Sequence, residues 1–484
     1  MHPYQLSKTS LLAHLQCPKY GYMYIHEREL ANYSESEERL FESGHEVNDY
    51  ARATRPGGLL IDWEQSGNDM VMKTRKALSD YLPAVFEGAF IHDEVMIRAD
   101  ILEPAAKGHR LVEVKASTSV KPVHIRDAAI QKWIIERSDI AVSEVRLMHI
   151  NNEFVYQGDN NYTGLFTEED ISGEVNILQD QVPGWIAAAK ATLAGDKPDI
   201  EIGPHCSVPY GCPFYDHCTE NWPDYPVYTL PYGGKQVNVW IQQGYRDIRE
   251  VPREQLTSDK HKLIRSVLDS GEPFIGREAR QFVKQLRYPR YYLDFETVAF
   301  TVPYFVGTRP YEAIPFQWSC HVERKNGNVD HYEALFVDGE FPARRVAESL
   351  IEKLGRKGPI LVYSGYERTT LNRLIERYPE YTNDLNAIIK RLVDLLPLTR
   401  ANYYHSEQHG SWSMKQIIPT IAPELSYDNL EGVRHGDDAQ YAFKQLIGND
   451  LNDSEKVILK QQMLEYCARD TIGLLEIVRF FSRK

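Results

Sequence analysis

The stretch "LDFET" sets Asp294 and Glu296 two residues apart in a strand-forming run. On an extended chain both side chains leave one face while Leu293 and Phe295 point into the core. Two anions on one face repel each other unless a cation lies between them, so the pair reads as a divalent-metal site. Glu367 follows "ILVYSG", where a strand turns into a helix, and Asp470 lies in "YCARD" on the last helix. Tyr466 is one helical turn before Asp470 on the same face. Four carboxylates converging on a strand edge would hold two metal ions about 4 Å apart, an arrangement that stabilises both the attacking and the leaving oxygen of a phosphodiester.

A second set uses different parts. Asp100 ends "EVMIRAD", and "LVEVKAS" places Glu113 and Lys115 at i and i+2 on one strand face. Asp100 and Glu113 suit a cation, and Lys115 suits holding or polarising water near a scissile phosphate. A third set is "HCSVPYGCPFYDHC", with Cys206, Cys212 and Cys218 at intervals of six among Gly, Pro and aromatics. Six cysteines in 484 residues are too few for a disulfide framework, and a cluster in a reducing compartment points to a metal.

These residues need elements to carry them. In the first half the strand patterns are "AVFEGAFI", "EVMIRADILEP" and "HRLVEVKAS", the last two joined tightly through "AAKG". The periodicity of "IRDAAIQKWIIERS" predicts a helix carrying Gln131, followed by a strand through "EVRLMHINNEFVYQG". In the second half "RYPRYYLDFETVAF" predicts a strand, and "FQWSCHVERKNGNVDHYEALFV" a hairpin with a two-residue turn at Asn326-Gly327. Interleaved helices and strands follow, ending in a long helix through Asp470. The expected fold class is α/β throughout, in domains 1–225 and 286–484, with a partly helical linker region over 226–285.

Composition sets limits. The chain is 42% hydrophobic and 26% charged, as in soluble globular proteins, and no apolar run approaches a membrane span, so a cytoplasmic protein without membrane association is expected. A net charge of -14 argues against a protein that coats nucleic acid by neutralising phosphate, but not against a nuclease that gathers acids around cations.

"LDFET", the acid after "VYSGY" and the Tyr-x-x-x-Asp of "YCARD" resemble the three exonuclease motifs of the DnaQ-like DEDD family, tyrosine subclass, on an RNase H-like fold. The resemblance implies Asp294, Glu296, Glu367 and Asp470 as ligands of two Mg2+ or Mn2+ ions, Tyr466 as the residue orienting the attacking water, and 3′-to-5′ removal of nucleotides. Asp394 in "LVDLLPL" is a rival acid that fits better in a structural role on a later strand. The first half is similar to the RecB-like branch of the PD-(D/E)XK superfamily, on a restriction-endonuclease-like α/β fold. That implies Asp100 and Glu113 as metal ligands and Lys115 and Gln131 as catalytic. The branch's closing Tyr is Ile135 here, the place of its upstream metal-binding His holds Asn48 with His45 nearby, and Glu87 is a candidate for the missing acid.

Cys17 in "LLAHLQCPKYGYMY" together with Cys206, Cys212 and Cys218 resembles the iron-sulfur staple of such RecB-like nucleases, which implies a 4Fe-4S cluster; zinc on the same four thiolates is the chemical alternative. Cys320 and Cys467 are expected in the core. The order of the two halves, with "RPGG", "GSWSMKQIIPTIAPELSYDNL" and "YCARDT", resembles a prokaryotic family of fused nucleases. In that last long stretch Ser411 and Lys415 can approach substrate, although Ser413 as a helix cap explains the pattern equally. The expected function is a bifunctional nuclease acting on DNA with a free 3′ end or a single strand, in repair or defence against foreign DNA. The alternatives are an RNA-processing 3′-to-5′ exonuclease and a nucleic-acid-binding scaffold with one inactive site.

Overall fold

The computed structural model describes residues 5–64, 66–80 and 82–483. It forms two compact units: Met1–Asn221 with Phe300–Tyr311, and Trp222–Ala299 with Glu312–Lys484. Both are mixed α/β. No described helix is long and apolar enough to cross a membrane.

In the first unit β1 (Leu6–Ser7), β2 (Leu59–Leu60), β3 (Val85–His92), β4 (Val95–Ala105), β5 (Gly108–Lys115), β6 (Val142–Ile150) and β7 (Phe166–Asp170) make one sheet in the order β2-β3-β4-β5-β6-β7, with β1 beside β4. The β4–β5 turn is tight, as expected, with Ala105 opposite Gly108. Gly108 has φ +102, and a Cβ there would meet the Ala141 carbonyl oxygen at 2.6 Å, so a side chain is excluded twice over. The expected helix is α5 (Pro122–Arg137), the crossover between parallel strands β5 and β6. Strand β6 stops at Ile150, short of "NNEFVYQG": the Asn151 Oδ1 accepts the Glu153 N–H at 3.1 Å and turns the chain out of the sheet.

Helix α5 and helix α6 (Val182–Ala194) bury one face of this sheet through Leu111, Ile130, Ile134, Leu147 and Ile186. Helix α3 (Glu35–Ala53) buries the other through Val47 and Ala51 against Val112 and Val114. Before it come α1 (Lys8–Gln16) and α2 (Pro18–His26). Ser7 starts α1 in a capping box with Ser10, and Cys17 closes it; Pro18 at the first position of α2 needs no amide partner. Helix α4 (Gly67–Ser79) packs on β3.

In the second unit β9 (Arg290–Val298), β10 (Ile314–Glu323), β11 (Val329–Leu335), β12 (Ile360–Val362) and β13 (Leu392–Asp394) form a sheet in the order β11-β10-β9-β12-β13. The first three are antiparallel, and β12 and β13 run parallel to β9. A two-stranded ribbon pairs β8 (Phe274–Ile275) with β14 (Tyr403–Tyr404). The β10–β11 connection is longer than the expected two-residue turn. Arg324 N–H donates to Asn328 O, which leaves three residues at the tip, and Gly327 takes the left-handed φ of +89 that closes such a loop.

The stretch expected as a linker groups with the second unit and carries helices Gly234–Gln242, Asp259–Ser270 and Arg277–Gln285. Helix α7 (Tyr366–Arg377) follows β12, α8 (Met414–Ile421) comes later, and the long α9 (Asp453–Arg483) packs on β9 and β10. Strand β9 is therefore covered on both sides, and nearly every residue of it is buried.

Candidate metal centres and the cysteine cavity

Asp294 and Glu296 leave the face of β9 on which α9 lies. Glu296 is buried, Asp294 half-buried, and their carboxylate oxygens lie within 4.8 Å of each other and of the Cys467 sulfur. Glu367 is in the first turn of α7, where Ser364 Oγ donates to its Oε2 at 3.4 Å. Helix α9 contributes Tyr466 and Asp470, one turn apart and both buried. All five expected residues line one cavity of about 790 Å3. They come from a strand, the helix after the next parallel strand, and the last helix, so tertiary folding assembles the set.

The electrostatics are those of acids crowded together in a buried place. Burial, then the charges of Asp470, Glu296 and Glu367, raise the Asp294 carboxyl well above its usual range. Burial and Asp470 do the same to Glu296. Glu367 is pushed up to about 7 by burial, with Asp394 adding to it. Asp470 is pushed up to about 6 by burial, against the hydrogen bond from Tyr427 and the charge of Lys415.

Three further residues touch the acids or share their cavity. Lys415 lines the cavity wall, Tyr427 OH donates to Asp470 Oδ1 at 2.5 Å, and Cys467 lies beside the Asp294–Glu296 pair. Cys467 is buried as expected, but next to the carboxylates rather than in plain core; burial raises its thiol well above the ordinary value, so it stays protonated and is no ligand for a hard cation. Asp394 is exposed and outside the cavity; its Oδ1 accepts the Leu396 N–H at 2.9 Å at the start of helix Leu396–Asn402. Ser411 lines the cavity, while Ser413 occupies the N-cap position of α8 without a side-chain capping bond. Cys320 is buried within β10.

In the first unit Glu113 is fully buried on the α5 face of β5. Gln131 Nε2 donates to Glu113 Oε2 at 2.5 Å and to Asp127 Oδ1 at 2.8 Å. Lys115 Nζ pairs with Glu113 Oε1 and, at 2.9 Å, with Asp127 Oδ2. Lys8, the first residue of α1, reaches Glu113 Oε1 at 3.2 Å and Asp127 Oδ1 at 3.1 Å. Asp100 Oδ2 accepts the Val114 N–H at 2.7 Å, just past the last β4–β5 pair, Ile101 opposite Val112, and Glu87, on the neighbouring β3, takes a φ of +53. Such a backbone in a Glu is strained and marks the end of the cluster.

Burial and then Asp100 push Glu113 up to about 7. Asp127 goes the other way: burial opposes it, but the ammoniums of Lys115 and Lys8 hold it well below the usual carboxylate range. Asp100, Glu113, Lys115 and Gln131 thus come together, and Asp127 and Lys8 join them. His45 is exposed and Asn48 half-buried on α3, and no hydrogen bond or ion pair joins either to this cluster among the described residues. Ile135 is core, and Glu87 pairs with Arg98 at 3.5 Å.

Cys17, Cys206, Cys212 and Cys218 line one small cavity. Gln16 Nε2, in the last turn of α1, donates to the carbonyls of His205 at 2.8 Å and Tyr210 at 2.9 Å and ties the helix to the cysteine loop. Burial raises the thiols of Cys206 and Cys218, and that of Cys212 to about 12. Among the described residues no three of these sulfurs lie within 4.8 Å of one another.

A family model described as "Domain of unknown function (DUF2779)" matches residues 291–413, which include Asp294, Glu296 and Glu367. A protein of Mycoplasma genitalium described as uncharacterized protein MG366 is 23% identical over 230 residues, 43% of this chain. The chain spans about a third of that relative's length, the match covering 34% of it.

Proposed function

We propose that the chain is a metal-dependent nuclease with two separate sites for hydrolysing phosphodiester bonds in DNA. The second unit is the DEDD-type 3′-to-5′ exonuclease on an RNase H-like fold, and the first is a RecB-like PD-(D/E)XK nuclease on a restriction-endonuclease-like fold. The observation that carries this reading is the single cavity lined by Asp294, Glu296, Glu367, Asp470 and Tyr466, with four carboxylates gathered where burial and mutual repulsion make their ionisation costly. A sheet with three antiparallel strands followed by two parallel ones, and the acids on its central strand, is consistent with that fold.

The donor set fits hard cations: oxygen ligands only, with the nearby thiol protonated. Divalent ions held by Asp294, Glu296, Glu367 and Asp470 would activate water and offset the charge of the phosphate. Tyr466 keeps its proton, since burial and then Asp470 raise it far above the ordinary value, and so can orient water by hydrogen bonding. Tyr427 fixes the rotamer of Asp470. In the first unit Asp100 and Glu113 are the ligands, Asp127 and Gln131 hold Glu113 and Lys115 in place, and Lys115 faces the phosphate.

The cysteine cavity suits a four-thiolate cofactor because Cys17, Cys206, Cys212 and Cys218, three of them far in sequence from the first, line it together. The resemblance to the iron-sulfur staple of RecB-like nucleases favours a 4Fe-4S cluster there, with a zinc ion on the same four thiolates as the alternative.

Digestion of 3′-labelled single-stranded DNA and RNA with Mg2+ and Mn2+ tests the reading. Stepwise loss of label that Asp294→Ala abolishes and Lys115→Ala preserves is expected. Equal loss of activity in both variants, or no digestion by the wild type, contradicts it.

A further inference from the structure

Lys415 and Arg400 are the cationic groups among the described residues that line the cavity; Arg400 is exposed, while Lys415 is held against the Tyr466 ring. It is the second residue of α8, half-buried, and its ammonium is 5.5 Å from the ring centroid of Tyr466 and 5.7 Å from that of Tyr427. Its hydrogen bond goes to His435 Nδ1, at 2.7 Å. No carboxylate oxygen of the described residues lies within 4.0 Å of it. Two π faces and a His435 ring nitrogen therefore hold a cation at the rim of an acidic cavity without a carboxylate partner. Charge balance gives it a task. Two divalent ions offset four carboxylates, and a phosphodiester then arrives with one negative charge that only a further cation matches.

We infer that Lys415 is a phosphate-binding residue of this site: it contacts a non-bridging oxygen of the scissile phosphate and remains with the 5′-monophosphate that is released. The inference rests on the nuclease reading of the second unit. In the reaction a P–O bond to water forms and the P–O3′ bond breaks, water loses a proton to solvent and the 3′ oxygen gains one. The released nucleotide is then a phosphate monoester whose remaining proton leaves with a second pKa of about 6, so at neutral pH it carries about one more negative charge than the diester did, and a monodentate ammonium suits both. The competing role is that of a counter-ion, in which Lys415 lowers repulsion among the acids and never touches phosphate.

Calorimetric titration with thymidine 5′-monophosphate in Ca2+, and with Mn2+ alone, separates the two, using wild type, Lys415→Met, Lys415→Arg and His435→Ala. Lys415→Met should weaken mononucleotide binding about 10- to 100-fold, the worth of a hydrogen bond to a charged group, with Mn2+ affinity kept or raised. Lys415→Arg should lose less, and His435→Ala should fall between. A Lys415→Met protein that binds the mononucleotide as the wild type does, or a wild type that cuts DNA without binding the mononucleotide, overturns the inference. A wild type that neither cuts DNA nor binds Mn2+ overturns the nuclease reading beneath it.

Discussion

Lys8 and Cys17 stand at the two ends of one nine-residue helix: Lys8 is its first residue and pairs with Glu113 and Asp127, and Cys17 is its C-cap and lines the cysteine cavity. A helix of that length spans about 13 Å and is stiff over it. What holds Cys17 therefore sets where Lys8 lies. Tyr210, between Cys206 and Cys212, is close enough for Lys115, Asp127 and Glu113 to act on its hydroxyl, so the cysteine loop reaches the same cluster from another side.

Loss of the cysteine centre should therefore disable the first unit selectively. Cys206→Ser and Cys218→Ser should lose the brown colour, iron and sulfide of anaerobically purified protein, and lose activity that depends on Lys115. Activity that depends on Asp294 should stay within about twofold of wild type. A colourless wild type carrying zinc would replace the cluster with a single ion and leave the mechanical argument standing.

Lys8 occupies, with its ammonium, space between two carboxylates that a divalent ion would also seek. Lys8→Met should raise Mn2+ affinity at the first unit severalfold, since breaking one partner from a buried ion pair leaves uncompensated anions. Electron paramagnetic titration in an Asp294→Asn background isolates that site. Unchanged or weaker binding would mean that Lys8 and the ion do not compete.

Stability should fall with rising pH when metals are chelated. Glu113 and Glu367 are pushed up to about 7 and Asp470 to about 6, all by burial first. The folded chain then binds protons that the unfolded chain releases near pH 4, so this contribution is full below that pH and is lost as pH rises through 6 to 7. Asp127 has the opposite shift, and its contribution is constant above pH 5. With EDTA the Tm should drop by several degrees between pH 5 and 7.5, and Mn2+ should reverse the trend. A Tm that rises with pH under EDTA contradicts the assignment of these shifts.

Tyr427→Phe removes the 2.5 Å hydrogen bond to Asp470 and nothing else of size. A hydrogen bond to a charged acceptor is worth about 1.5–3 kcal/mol, so kcat of the exonuclease should fall about tenfold or more while KM for DNA changes little. Tyr466→Phe should cost at least as much. Equal activity in Tyr427→Phe and wild type would show that Asp470 needs no such anchor.

Much of each site was legible because it is written in local spacing. A strand alternates faces, so Asp294 with Glu296 and Glu113 with Lys115 follow from position alone, and Tyr466 with Asp470 follow from one helical turn. Lys8 and Asp127 were not, because Lys8 meets Glu113 across 105 residues and Asp127 is one acid of an amphipathic helix whose inward face depends on packing. Tyr427 sits in a three-residue helical turn that no periodicity marks, whereas Lys415 stands out in the GSWSMKQ stretch as a residue able to approach substrate. The place of Phe300–Tyr311 in the first unit was equally hidden. In the chain it lies between β9 and β10, and it is held there by bonds such as Ser43 Oγ to Thr301 Oγ1 at 2.8 Å and Tyr162 OH to the Pro303 carbonyl at 3.2 Å, which only the folded backbone creates.

The account rests most heavily on cations binding where the acids of the second unit converge. Anomalous diffraction at the manganese edge, from crystals grown with Mn2+, locates such ions directly. Two peaks among Asp294, Glu296, Glu367 and Asp470, both lost in Asp294→Ala, are the predicted result; a clean map with those four carboxylates apart and no peak among them would contradict it.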